Sequence, residues 1–275
     1  MRRKLYLVNE SGSTFYFDFQ SQCAIEEIDG LGFEFDITYE DFESNFVETN
    51  RTIPQRAITF SLIFFDGYKG FTRWIKYLAK SQQLRLFYEA DGKKFCYVNI
   101  RSSDKTELKS NALRTKVKID CLSLWLVNRS VEIQVRNIGG GKIYTYDYPY
   151  SYAVSFNGKT TVTNNSARDV PLLIRMIGNC LNPRVIIRQG GKDIQKLRFL
   201  TDERDEPIIE VNASRTEQSI IKITPTDTFD YYDKQDFAEK NFLFLPPGES
   251  EIFFDPGVRE PALCQIEFKE EYVTH

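Results

Sequence analysis

Along most of the chain, apolar and polar residues alternate in short runs broken by Gly, Asn and Asp, the pattern of strands and tight turns. Tyr6 to Val8, the alternating Phe15, Phe17 and Phe19, Gln22 to Ile28 and Phe33 to Ile37 read as strands, with turns at Ser11-Gly12 and Asp29-Gly30. Ala57 to Phe65 is a dense β-type run. A convincing helical period occurs once. Phe71, Trp74, Ile75 and Leu78 stand at i, i+3, i+4 and i+7, with Arg73, Lys76 and Lys80 on another face. That spacing predicts a helix over Lys69 to Ser81, lying on a sheet with the four apolar side chains down. Leu84 to Tyr88 and Phe95 to Ile100 flank an Asp91-Gly92 turn as a hairpin whose tip carries Lys93 and Lys94. From Leu113 to Cys121 the apolar face and the face bearing Arg114, Lys116, Lys118 and Asp120 alternate strictly, which predicts a strand buried on one side.

A break follows at 128 to 142, where Asn128-Arg129, Asn137 and the run Gly139-Gly140-Gly141-Lys142 favour a flexible connection. Two domains are therefore expected: residues 1–133, a linker at 134–142, and residues 143–275. Beyond the linker, short apolar strands recur between turns at Asn157-Gly158, Gly190-Gly191, Pro246-Pro247-Gly248 and Pro256-Gly257, spacing that suits a β-sandwich or jelly roll. A short helix is expected over Asp233 to Lys240. At the head of this half, Tyr144, Tyr146, Tyr148, Tyr150 and Tyr152 recur at period two and would share one face of an extended strand. Such a row either stacks glycan rings or packs against a neighbouring sheet or domain, and packing is the commoner use.

Composition narrows the chemistry. The chain has 275 residues, a net charge of −3 and a single His, the terminal His275. Without an internal His, Ser-His-Asp and Cys-His catalysis and His-ligated metal sites are excluded, and no phosphate-binding, dinucleotide or EF-hand motif is present. The five cysteines are scattered, with no close pair, and read as reduced core residues. Neither cofactor nor metal is expected. The series Asp227, Asp230, Asp233, Asp236 lacks calcium-loop spacing and reads as a solvated acidic turn. Asp202, Glu203, Asp205 and Glu206 are the one dense acidic group that a carboxylate-dependent glycosidase could use, and with Thr201, Arg204 and Pro207 they read as an exposed turn. No basic excess points to nucleic acid, no apolar run is long enough to span a membrane, and the start of the chain lacks a secretion signal, so synthesis in the cytoplasm is expected.

Charge is nevertheless segregated. Residues 10–50 hold eleven acids and no Lys or Arg, whereas residues 69–118 hold thirteen basic residues and four acids. The two stretches either neutralise each other within one fold or meet across neighbouring copies, head to tail. For the second arrangement the candidate contact residues are Glu40, Asp41, Glu43 and Glu48 on one side and Lys93 and Lys94 on the other.

The order of these parts carries a resemblance. Arg56-Ala57-Ile58-Thr59-Phe60, a long strand running into Cys121-Leu122-Ser123-Leu124-Trp125-Leu126, Tyr148-Pro149-Tyr150-Ser151-Tyr152, and Asn164-Asn165-Ser166 through Pro171 to Ile177-Gly178-Asn179-Cys180-Leu181-Asn182-Pro183 follow one another over nearly the whole chain. Together they resemble the distal tail protein (Dit) family of siphophages and prophages of Gram-positive bacteria. The resemblance implies a mainly β protein: an N-terminal β-sandwich-like domain with one α-helix and a β-hairpin, and a C-terminal galectin-like or carbohydrate-module-like β-sandwich. It further implies a non-enzymatic structural hub in the virion, at the distal end of the tail. Its first domain would form a homo-oligomeric, usually hexameric ring, with two rings back to back as a variant. The implied partners are the tail tube protein, a tail-associated protein and receptor-binding or adaptor proteins. The acidic Glu40 to Glu48 stretch departs from the family pattern, in which a Gly-containing loop is expected. The rival reading is a carbohydrate-binding adhesin that uses the Tyr144 to Tyr152 row.

Overall fold

The computed structural model describes residues 3–90, 92–135, 158–258 and 261–274. The chain divides into two compact units, Met1–Val127 with Tyr272–His275, and Asn128–Glu271. The fold is mainly β, with one α-helix among the described residues.

The first unit is built on an antiparallel sheet. Its strands are β1 (Lys4–Asn9), β2 (Thr14–Tyr16), β3 (Cys23–Asp29), β6 (Ala57–Phe64), β7 (Leu84–Glu89), β8 (Lys93–Ser103) and β9 (Leu113–Cys121), in the order β3-β6-β9-β8-β7-β1-β2. β4 (Asp36–Phe42) and β5 (Asn45–Thr52) form a separate two-stranded hairpin. β10 (Trp125–Val135) begins in this unit, where Leu126 pairs with Phe95. β9 shows the strict alternation that its sequence predicts, with Leu113, Thr115, Val117, Ile119 and Cys121 buried.

The helix α1 (Tyr68–Lys80) lies on one sheet face. Trp74 is fully buried, its rings edge-on to Phe15 at 5.1 Å and Phe17 at 5.9 Å, and its Nε1 donates to Ser103 Oγ at 2.9 Å. Phe71 and Leu78 pack beside it as expected, but Ile75 is exposed and Tyr77 takes the place assigned to it. Each residue turns the helix by about 100°, so Tyr77 and Leu78 flank Trp74 closely while Ile75 falls at the edge of the stripe.

Two further expectations are corrected in local structure. Phe33 to Phe35 precede β4 rather than opening a strand, and Phe33 and Phe35 meet edge to face at 5.2 Å. The Glu40 to Glu48 stretch is hairpin, not loop, and reverses at Glu43-Ser44, both with positive φ (47° and 75°). Gly30 marks the root of this hairpin: its φ is 86°, and a Cβ there would stand 2.1 Å from the Ala57 carbonyl oxygen, so only glycine fits.

The second unit is a sandwich of two antiparallel sheets. One holds β12 (Val170–Ile177), β17 (Ile208–Ala213), β18 (Gln218–Ile223), β19 (Thr228–Asp230) and β22 (Ala262–Tyr272), with β10 joining beside β22. The other is β11 (Gly158–Asn164), β21 (Gly248–Asp255), β14 (Arg184–Gln189) and β15 (Lys192–Arg198), in that order. Short strands β13 (Cys180–Leu181) and β16 (Asp202–Glu203) pair with each other, and β20 (Phe244–Leu245) pairs with β12. Val185, Ile187, Ile252 and Phe254 of one sheet share a core with Ile174, Val211 and Ile266 of the other. No α-helix occupies Asp233 to Lys240. A 3₁₀ turn spans Tyr232–Lys234, and the segment then binds the edge of β15, with Asp236 N–H donating to Arg198 O and Lys240 N–H to Lys196 O, both at 2.9 Å. Covering an open sheet edge outweighs the weak helical pattern. Of the linker expected at 134–142, residues 134 and 135 are strand, and the rest lies outside the described residues, as does the Tyr144 to Tyr152 row.

Candidate interaction surface

The β4–β5 hairpin is an arm. Two strands of seven and eight residues, each extending about 3.4 Å per residue, reach roughly 25 Å. Of its residues only Ile37 is other than exposed, so nothing in the first unit covers its length. The pairing sorts its side chains into two faces, because residues directly opposite point the same way. Tyr39 with Glu48 and Asp41 with Phe46 share one face; Glu40 with Val47 and Phe42 with Asn45 share the other. Each face therefore mixes carboxylates with large apolar groups. Phe42 is 68% exposed and Phe46 75%, values unlike those of aromatic side chains that have found a core.

Its electrostatics are one-sided. Asp36, Glu40, Asp41, Glu43 and Glu48 stand against Arg51 alone. Arg51 is committed to Glu48 through two hydrogen bonds of 2.8 and 2.6 Å, which hold the Glu48 carboxyl below its usual range, and its guanidinium lies 5.0 Å from the centre of the Phe35 ring. Glu40, Asp41 and Glu43 are exposed to solvent.

The structure brings these acids together on one arm but does not bring Lys93 and Lys94 to them. Lys93 is 3.9 Å from Glu89 and lies over the Phe87 ring at 4.9 Å. Lys94 donates to the Thr274 carbonyl at 3.4 Å and lies 4.4 Å from the Tyr272 ring centre, tying the end of the chain to β8. The sequence reading missed Tyr39, Phe42, Phe46 and Val47. Neither a helical nor a clean strand period marks them, and the Glu43-Ser44 reversal lacks the Gly or Asn that usually signals a hairpin.

Elsewhere the candidate chemistry resolves into structure. All five cysteines are buried and unbridged. Among the described residues no cluster of His, Cys, Asp and Glu is arranged to hold a metal, and no helix is long and apolar enough to cross a membrane. Glu203 is not on an exposed turn: it is largely buried, with Lys222 Nζ at 2.6 Å and the hydroxyls of Thr201 and Tyr231 donating to it. Asp236 and Asp233 pair with Arg198 and Lys234.

Residues 4–122 match the family model of the distal tail protein, N-terminal domain. Over that stretch the first unit is similar to the distal tail protein N-terminal domain. The whole chain also superposes on solved structures. A chain of the phage P2 baseplate in its activated conformation with Ca gives a TM-score of 0.67 at 13% identity, with 100% of both chains covered. The SPP1 Dit (gp 19.1) protein, described as a paradigm of the hub adsorption apparatus in phages that infect Gram-positive bacteria, gives 0.64 at 12% identity over 98% of this chain and 99% of that one. At such identities the likeness is one of fold. None of the curated proteins matches the sequence. In the first unit the arm leaves the sheet between β3 and β6, and the long pairing of β6 with β9 gives it a firm base.

Proposed function

We propose that this protein is a structural hub at the distal end of a phage tail, whose distal tail protein domain assembles with copies of itself into a ring. The ring would join the tail tube to tail-associated proteins and to the receptor-binding or adaptor proteins that contact the host, with the second unit as the surface for the latter. The observation that carries this reading is the arm: a rooted hairpin that leaves aromatic groups in water on both faces gains when another protein surface covers them, and its carboxylates suit a partner surface that carries basic groups. The match of residues 4–122 to the distal tail protein model and the fold-level likeness of the full chain to baseplate and hub proteins support the same reading.

Sedimentation velocity on the full chain at micromolar concentration tests it. A closed oligomer of defined size is expected, visible as a ring by negative-stain microscopy. A monomer at all concentrations, with and without added tail tube protein, would remove the ring from the account.

A further inference from the structure

The five cysteines differ in their surroundings. Cys23, Cys180 and Cys264 are buried thiols, each pushed up from its ordinary range chiefly by burial. Cys96 and Cys121 stand together. Val98 of β8 faces Cys121 of β9, and Cys96 lies two residues before Val98, so the two thiols are diagonal neighbours on the sheet face that forms the core with Trp74. Cys121 is the last residue of its strand and is held at its backbone. Its N–H donates to the Arg56 carbonyl at 2.9 Å, and its carbonyl accepts from Gln55 Nε2 at 3.3 Å. At 4% exposed it is also the most open of the five, whereas Cys96 is fully enclosed.

A cation completes the group. The Arg56 guanidinium lies 5.1 Å from the centre of the Trp125 ring, and its Nη1 points to the carbonyls of Gly32 and Val273, each at 3.4 Å. Its Nε is buried and has no hydrogen-bond partner among the described residues. The Cys96 thiol as a donor, with Arg56 adding to it, outweighs burial and draws Cys121 down to about 7. Cys96 is pushed the other way, because the proton that the two sulfurs share stays with it. At neutral pH the pair therefore holds a thiolate at its open end and a thiol behind it.

We infer that Cys121 is a peroxide-reactive thiol and Cys96 its resolving partner, so that a hydroperoxide converts the pair to a disulfide where β9 gives way to β10. The Cys121 thiolate attacks one peroxide oxygen, the O–O bond breaks, and the leaving hydroxide takes up the proton that Cys121 released, forming water. Cys121 is then a sulfenic acid. The Cys96 sulfur attacks the Cys121 sulfur, the S–O bond breaks, and the hydroxyl leaves with the Cys96 proton as a second water. Two thiols and one hydrogen peroxide thus give one disulfide and two waters, the sulfurs losing the two electrons that the peroxide gains. Diagonal partners stand about 7–8 Å apart at Cα, roughly 1 Å beyond the span of a disulfide, and the end of β9 is where the ladder can yield that distance. The inference does not depend on the proposed assembly.

The test exposes the full chain to hydrogen peroxide, blocks the remaining thiols with iodoacetamide under denaturing conditions, and maps tryptic peptides by mass spectrometry without reduction. Peptides 95–101 and 119–129 are expected as one cross-linked species, two hydrogens lighter than their sum and separated by dithiothreitol, while Cys23, Cys180 and Cys264 remain alkylated. Both peptides recovered in alkylated form, at peroxide levels that oxidise free cysteine, would overturn the inference. A Cys96→Ala chain, verified as folded by its melting curve, separates the two roles: dimedone should label Cys121 ahead of the other cysteines, and equal labelling of all four would remove Cys121 as the reactive thiol. Arg56→Gln should slow the oxidation of Cys121 about tenfold at neutral pH, and an unchanged rate would take Arg56 out of the site.

Discussion

Glu203 illustrates how a charged side chain is held at the margin of the second unit's core. Burial alone would push its carboxyl up, but hydrogen bonds from Lys222, Tyr231 and Thr201 favour the ionised form and carry it below the ordinary value. The folded state therefore holds the carboxylate more strongly than the unfolded chain does. That stability is fully present above the unfolded value, near 4.5, and is lost as the pH falls through the lower folded one. In Glu203→Gln the loss of stability on acidification should be shallower than in the unmodified chain, measured by urea unfolding across the acid range. Tyr231→Phe removes a hydroxyl that donates to Glu203 and should cost about 1–2 kcal/mol in the same assay at neutral pH.

For the elements, the helix and the arm make opposite claims. α1 is held by what it buries, and Trp74→Ala should destabilise the first unit by about 3–5 kcal/mol, since the site is closed by Phe15, Phe17 and Tyr77. A calorimetric melt checks this. The arm buries almost nothing within its own copy, and its reversal places two non-glycine residues at positive φ, a conformation that costs L-residues roughly 1–2 kcal/mol each. Ser44→Gly relieves one of these and should slow amide hydrogen exchange in β4 and β5 without changing the melting temperature of the sheet.

The whole molecule separates charge along its sequence, and assembly should show it. In the proposed ring, raising the salt concentration screens contacts made by the acidic arm and should shift the assembly toward smaller species without abolishing it, because contacts of its aromatic side chains are insensitive to screening. Sedimentation at low and high salt reads this directly. Reversal of Lys93 and Lys94 to Glu should loosen the chain terminus, through loss of the Lys94 contacts with Tyr272 and Thr274. Faster exchange or clipping of the last residues would report it.

Local patterns were sufficient for much of this molecule. The alternation from Leu113 to Cys121, the dense run that became β6 and the stripe around Trp74 each state their burial in their own periodicity, because a strand or helix on a core must repeat with the backbone. The expectation of no His-based catalysis or His-ligated metal rests on composition alone, since the one His is terminal. What periodicity could not reveal depends on partners distant in the chain. Ile75 lost its place to Tyr77, whose ring is met by Phe15 from a distant strand. The Asp233 to Lys240 segment gave up its helix to the edge of β15, and Glu203 its exposure to Lys222, residues that meet through the sandwich and not through sequence. The arm was hidden for a further reason: its two faces are alike, so no buried side impresses a pattern on it. Phe19 stacks on Phe65 from a segment more than forty residues away, a contact that only the tertiary fold makes.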